Sequence, residues 1–308
     1  MAVIFDRIAV IGVGLIGASI ALAARHHGAA NIVQIYDANP GARARARELA
    51  LGEVFDDAEW AVENADLVVL AVPVGAMGAA AAACKDRLKV GAIVTDVGSV
   101  KQAVVDALKS TLPKHVHFVP GHPLAGTEHS GPDAGFATLF HNRWQILTPL
   151  ADQGEGYAAA VDQLEAFWRA IGSNVERMDS QRHDVVLAVT SHLPHLIAFN
   201  IVAMAEDLES VTESEVVKYS ASGFRDFTRI AASDPTMWRD VFLNNREAVL
   251  EVLGRFSEDL AALQRAIRWG EGDTLYDLFD RARRMRREVI EAGQDTPAPN
   301  WGRDDPLG

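Results

Sequence analysis

The chain has 308 residues, 49% of them hydrophobic and 23% charged, with a formal net charge of −13. That length suits two domains rather than one, and the composition can bury a sizeable core, while the acidic balance argues against nucleic acid or an anionic membrane surface as a partner. The single cysteine, Cys84, excludes an internal disulfide framework and a multi-cysteine metal site, and it reads as a small buried side chain.

The N-terminus carries no basic leader before its first apolar run, so no signal peptide is expected. No apolar stretch is expected to reach the length of a bilayer span, and the expectation is a soluble, cytoplasmic protein without bound metal. Residues 7–14 (RIAVIGVG) form a β-branched run ending in glycines, the pattern of a buried parallel strand. An alanine-rich helix follows over 15–27, a second strand over 31–37, and a helix over 40–51 opened by Pro40 at its first turn. Two more apolar strands are read at 65–73 and 92–98, each followed by a helix, and 116–119, 143–148 and 174–178 are candidate edge strands. Strand alternating with helix predicts a doubly wound parallel sheet, α/β in class, covered on both faces.

After residue 179 the period changes to that of helices, with runs at 183–206, 235–266 and 273–292 and no convincing strand. The expected organisation is a dinucleotide-binding domain over 1–179, an all-helical domain over 180–292 and a disordered tail over 293–308, rich in Pro, Gly and Asp. The basic run 281–287 (RARRMRR) reads as a solvated helix face. Long apolar helical stretches exceed what a small helical domain can bury alone, which predicts a homodimer built through them.

Gly12-Val-Gly14-Leu15-Ile16-Gly17 lies between a buried strand and a helix. Gly12 permits the tight turn, Gly14 lets the backbone approach a pyrophosphate, and Gly17 allows close helix–strand packing. The helix N-terminus then offers free N–H groups to phosphate. Asp37, at the end of the second strand, sits where an acid can accept from both ribose hydroxyls and repel a 2′-phosphate, so NAD is expected rather than NADP. Val72 and Pro73, ending the strand over 65–73, complete the candidate cofactor contacts.

Further segments carry the candidate chemistry. Gly98-Ser99-Val100-Lys101 and Gly121-His122-Pro123-Leu124-Ala125-Gly126-Thr127-Glu128 both lie at the carboxyl edge of the predicted sheet, where such sheets bind ligands. Ser191-His192-Leu193-Pro194-His195 is expected to break a helix of the second domain, with His195 the stronger candidate of its two histidines. Gly223-Phe224-Arg225-Asp226-Phe227-Thr228-Arg229 sets two arginines about one helical turn apart. A histidine, a serine and an arginine fork beside a nicotinamide suit oxidation of an alcohol on a carboxylate-bearing substrate.

Taken together, GSVK, GHPLAGTEHSGP, SHLPH and GFRDFTRIAASDPTMWRD resemble the prephenate/arogenate (cyclohexadienyl) dehydrogenase family over nearly the whole chain. The resemblance implies a Rossmann domain followed by a helical dimerisation domain, with the active site between them. It implies His122 as the catalytic base, Ser99 as hydrogen-bond partner of the substrate hydroxyl, and Arg229 as ligand of the ring carboxylate. It also places His195, Glu128, Arg225, Asp226 and Trp238 around the substrate. Ser222 stands where some relatives have glycine. The reaction implied is NAD-dependent oxidative decarboxylation of prephenate, arogenate or both. The rivals are a β-hydroxyacid or imine reductase type, for which Lys218 is the sole helical-context lysine candidate, and an NAD-sensing module, which would not need Ser99, His122 and Arg229 together.

Overall fold

The structure, a computed structural model, describes residues 3–127, 129–151, 153–212 and 221–291. Its first part alternates β1 (Phe5–Ile11), α1 (Leu15–His26), β2 (Ala30–Tyr36), α2 (Pro40–Glu48), β3 (Glu53–Val54), α3 (Ala58–Ala61), β4 (Leu67–Leu70), α4 (Met77–Cys84), β5 (Ile93–Asp96), α5 (Gln102–Lys109) and β6 (His117–Phe118). The six strands form one parallel sheet in the order β3-β2-β1-β4-β5-β6. Chain order reverses between β1 and β4, and open sheets of this kind bind ligands at the carboxyl ends of the strands beside such a reversal.

Period-2 alternation sends the strands' side chains into two separate cores. Ile8 and Val10 of β1, with Leu67 and Val69 of β4, pack on the α1 face with Ile20, Phe167 and Trp168. Ala9, Ile11, Val68 and Leu70 pack on the other face with Met77, Val104 and Leu108. Both faces being dry explains why these strands read as unbroken apolar runs. Cys84 belongs to the second core, and burial pushes its thiol up to about 12.

Only one of the three candidate edge strands joins this sheet: β6 pairs with β5. The other two, β8 (Trp144–Leu147) and β9 (Asn174–Arg177), make a separate three-stranded sheet with β7 (Gly121–Pro123), and α6 (Tyr157–Ala170) lies between them in sequence. Residue 121 thus begins a strand of its own, antiparallel to β8 with His122 opposite Ile146.

Among the described residues after Arg177 every regular element is a helix. The elements are α7 (Ser180–Leu187), a π turn (Ala188–His192), α8 (Leu193–Thr212), α9 (Ser222–Thr228), α10 (Pro235–Asn244), α11 (Arg246–Trp269) and α12 (Gly272–Glu291). Three expectations are corrected here: the break at 191–195, the absence of an apolar stretch of bilayer length, and the single run over 235–266. Pro194 does not break the helix: the widened π turn just before it absorbs the missing N–H and the ring, so the axis continues. The continuous run Ser180–Asp207 is therefore long and apolar enough, by length and composition, to cross a bilayer, with only 22% of its most apolar window buried. Conversely, the periodic run 235–266 is two helices, because Asn245 leaves helical geometry (φ −110, ψ 35) and turns its side chain inward. The tail from residue 292 lies outside the described residues.

At the β1–α1 turn, Gly12 has φ +102, and a Cβ on it would stand 2.3 Å from the Ala71 carbonyl oxygen. A Cβ on Gly17 would stand 1.9 Å from the Gly12 carbonyl oxygen, whereas one on Gly14 would meet nothing within 4 Å. Gly17→Ala is expected to cost about 1–3 kcal/mol by overpacking, read as a lower thermal midpoint. Gly14→Ala should melt close to the parent, and equal midpoints for the two variants would contradict this packing.

Candidate active site

The glycine loop is shaped as a cradle. Gly14 caps α1 without a side chain, so the first-turn N–H groups point into open space at the carboxyl edge of the sheet. The Asp37 carboxylate is drawn beside it, accepting from Val13 N at 2.8 Å and Asn39 N at 2.8 Å. Each oxygen keeps a second lone pair, so both can still accept from a ribose. Val72 approaches Gly12 from the end of β4, and Pro73 follows it exposed. Leu15 and Ile16 open α1, the first buried and the second half-buried. Backbone donors, open space over Gly14 and a nearby carboxylate fit the pyrophosphate and ribose of a dinucleotide. The chain after His122 is fastened to the same region, since Phe136 N donates to Ser19 Oγ at 3.1 Å and Arg45 pairs with Asp133 at 2.6 Å.

The neighbouring turns hang on a buried ion pair. Asp96 ends β5 and Lys101 closes the 98–101 turn, and neither side chain has any exposed surface. Asp96 Oδ2 accepts from Gly98 N at 2.8 Å and from Lys101 Nζ, and its Oδ1 accepts from Gly121 N at 3.2 Å. Lys101 Nζ also donates to the Gly121 carbonyl at 2.5 Å. Ser99 sits half-buried on this turn, and the buried His122 follows Gly121.

From the helical half, Asp184 reaches across to this turn. Its Oδ1 accepts from Lys101 N at 2.8 Å and its Oδ2 from Gln102 N at 2.9 Å. These are the amides of the N-cap residue and of the first residue of α5, which has no side-chain cap from its own N-cap residue. His183 Nδ1 lies 2.8 Å from Asp184 Oδ1, and His183 Nε2 lies 2.9 Å from His122 Nδ1. A carboxylate only accepts, and that assigns the tautomers in series. His183 donates from Nδ1 to Asp184 and accepts at Nε2 from His122 Nδ1–H. The lone pair of His122 is therefore on Nε2.

Behind this chain, Asn245 Nδ2 donates to the Asp184 carbonyl at 2.9 Å and to His192 Nδ1 at 3.0 Å, which leaves the proton of His192 on Nε2. His195 donates from Nδ1 to the Ser191 carbonyl at 2.9 Å, and its ring stacks on Trp238 at 3.7 Å. Trp238 is buried with Val100 and Val241. Arg229 is exposed at the end of α9, near enough to His195 for its charge to act there. Arg225 and Asp226, both largely exposed, pair with each other at 3.0 Å. Ser222, on the same short helix, is exposed, and Glu128 and Lys218 lie outside the described residues.

The structure thus groups His122, Ser99, His195 and Trp238 near the ends of β5 and β7, with the glycine loop and Asp37 at the ends of β1 and β2. It also adds residues that sequence reasoning missed: Asp96, Lys101, His183, Asp184 and Asn245. The one available signal was the polar pair His183-Asp184 at the head of an apolar helical run.

Two family models match the chain: the nucleotide-binding domain of prephenate dehydrogenase over residues 20–177 and the dimerization domain of prephenate dehydrogenase over 179–281. The cyclohexadienyl dehydrogenase of Zymomonas mobilis is 45% identical over 284 residues, 92% of this chain and 96% of that protein. The prephenate dehydrogenase of Bacillus subtilis is 34% identical, over 91% of this chain and 75% of its own length. Among solved structures, Aquifex aeolicus prephenate dehydrogenase in complex with hydroxyphenyl propionate and NAD+ superposes with a TM-score of 0.85 at 34% identity, covering 92% of this chain and 98% of that one.

Burial dominates the electrostatics. It holds the His122 imidazole well below its ordinary value, helped by His183, Lys101 and His192, and it lowers His183 despite the Asp184 carboxylate. His192 is pushed down to about 4, again first by burial. All three rings are neutral near pH 7. An unfolded chain takes up protons on them near pH 6.5, whereas the folded chain does so only lower. The stability this contributes is therefore full above about pH 6.5 and is lost as pH falls below it. The thermal midpoint is expected to be flat from pH 8 to 7 and to fall between about 6.5 and 5, with a shallower fall in His192→Gln. An unchanged slope in that variant would remove His192 from the account.

Proposed function

The chain belongs to the prephenate dehydrogenase family, and from that premise we propose that His122 is the base of its reaction. The enzyme is an NAD-dependent dehydrogenase of tyrosine biosynthesis, which oxidatively decarboxylates a cyclohexadienyl carboxylate, prephenate or arogenate. One observation carries the assignment of the base: the hydrogen-bonded series Asp184–His183–His122, which leaves an unprotonated Nε2 at the carboxyl edge of the sheet, on the chain next to the 98–101 turn.

Gly12, Gly14, Leu15, Ile16 and Gly17 would form the loop that holds the pyrophosphate, Asp37 would hold the adenine ribose, and Val72 and Pro73 would flank the dinucleotide. When bound, NAD supplies the hydride acceptor. His122 Nε2 takes the proton of the 4-hydroxyl while Ser99 orients that hydroxyl. As the C4–H bond breaks, the alcohol carbon is oxidised and its oxygen becomes a carbonyl. The bond to the ring carboxylate then breaks, carbon dioxide leaves, and the electron pair enters the ring, which becomes aromatic as its phenolate oxygen takes the proton back from His122. Arg229 holds that carboxylate through a two-pronged contact until it departs. The imidazolium forming at His122 is stabilised through His183, with the Asp184 carboxylate as its counter-charge; Asp184 fixes tautomer and orientation without taking the proton, the logic of a catalytic triad. His195, stacked on Trp238, presents its Nε2 lone pair to the substrate side chain, and Glu128, Arg225 and Asp226 complete the substrate wall.

The helical half leaves Val189, Met204, Leu243, Leu250, Ile267 and Trp269 exposed, and α12 buries no residue. Apolar side chains left exposed in such number on one helical half suit an interaction surface. A second copy of the chain covers it in a two-fold homodimer, and the assembly works in the cytoplasm.

His122→Asn keeps a side chain able to hydrogen-bond but cannot accept a full proton. It is expected to lose roughly 10²- to 10⁴-fold in kcat, with NAD affinity little changed. The parent's kcat/KM should fall with a single-proton slope on an acidic limb displaced below pH 6.5 by burial, and that limb should vanish in the variant. A variant with near-parent kcat and the same limb would transfer the role to another residue, His195 first. Light scattering at micromolar concentration should give twice the chain mass, and a monomeric mass would overturn the dimer.

A further inference from the structure

The Asp96–Lys101 pair has no assigned part in the reaction, yet it touches both turns that carry the chemistry. The two backbone groups of Gly121 are clamped from opposite ends: its N–H donates to Asp96 Oδ1 at 3.2 Å, and its C=O accepts from Lys101 Nζ at 2.5 Å. A Cβ there would lie 2.6 Å from Gln145 Nε2, so the peptide is also pressed from the β8 side. The same carboxylate holds Gly98 N at 2.8 Å, which sets the turn bearing Ser99. Lys101 closes the circuit through its own N–H, which Asp184 accepts at 2.8 Å.

We propose that Lys101 is a positioning residue for His122: its buried ion pair with Asp96 clamps the Gly121 peptide and sets a fixed positive charge behind the His122–His183 pair. Three donors converge on the Asp96 carboxylate, and Lys101 Nζ donates to two acceptors from a fully buried position. Burial lowers the Lys101 ammonium from its ordinary value, while the Asp96 carboxylate beside it pulls it back up.

The groups that act on the two imidazoles come from every element packed around them. β5 contributes Asp96, the 98–101 turn Lys101, α7 His183 and Asp184, and the π turn His192. Asp96 and Asp184 favour a protonated His183, and Lys101 opposes protonation of both His183 and His122. Desolvation is the first cause that lowers His122, and the Lys101 charge adds to it. The imidazole then meets substrate with its Nε2 lone pair open. A group that only braced the fold would not bear on the titration of the base.

The proposal rests on His122 being the base, and the test separates the two ideas by titrating the imidazoles directly. Lys101→Met removes the cation and leaves Asp96 near the pair. NMR titration of the imidazole resonances, assigned through their loss in His122→Asn, is expected to move the His122/His183 titration upward by about one pH unit, the usual effect of a nearby charge. The acidic limb of kcat/KM should move the same way. The double variant Asp96→Asn/Lys101→Met carries no unpaired buried charge and guards against a single variant that does not fold. It should bind NAD like the parent, titrate near the parent's pH and lose at least tenfold in kcat, because the Gly121 clamp is weakened. An unshifted titration in a folded Lys101→Met overturns the electrostatic part, and a double variant with parent kcat overturns the clamp. If His122→Asn instead keeps its activity while the titration shift stands, the assignment of the base is what fails.

Discussion

The carboxylate of Asp184 has three donors and almost no contact with water, and most of the site's geometry depends on it. Two donors are the leading amides of α5, a helix whose own N-cap residue supplies no side-chain acceptor. The cap is delivered from 83 residues further along the chain, on α7. Leaving those amides dry and unpaired would cost roughly 1–3 kcal/mol each, so the helical half must dock where Asp184 can reach them. That docking brings the third donor, His183, within hydrogen-bond distance of His122. One electrostatic need, the capping of a helix, therefore sets where His183 stands relative to His122.

Dryness at this junction has two consequences that pull in opposite directions. It strengthens every hydrogen bond in the Asp184–His183–His122 series, and it penalises each charged imidazole, so the rings stay neutral and able to accept. It also makes the junction intolerant of an unpaired charge. The buried Asp96–Lys101 pair is acceptable there because the carboxylate has two further N–H donors and the ammonium a further carbonyl. The π turn over Ala188–His192 belongs to the same junction. It rephases α8 so that His192 faces Asn245 and His195 stacks on Trp238, a common use of a π turn at functional sites.

The acidic surface of the enzyme, with its net charge of −13, contrasts with an anionic substrate. Near the candidate site Arg229 carries a charge that faces outward, exposed and close enough to His195 to act on it. In a low-dielectric cleft a few fixed charges outweigh many screened ones on the surface.

The sequence by itself determined the parts of this protein whose causes are local. A glycine needed for a turn, an apolar period of two or 3.6, and Pro40 at a first helical turn act within a few residues, so the parallel sheet, the cofactor cradle and the helical half were all legible. Asp37 was legible too, because its distance from the glycine loop is set by one strand–helix–strand unit. His122, Ser99 and Arg229 stood out through motifs, but spacing could say nothing of what orients them. Only the tertiary structure decided that His183 and Asp184, which read as ordinary residues at a helix start, join His122 in one hydrogen-bonded series. It also decided that Lys101 is buried against Asp96, that residues 121–123 and 144–147 form their own sheet, and that the helix runs through Pro194. Each of these depends on a partner dozens of residues away or on burial from both sides. A polar side chain is expensive to bury without a partner, and a sequence does not disclose where that partner will be.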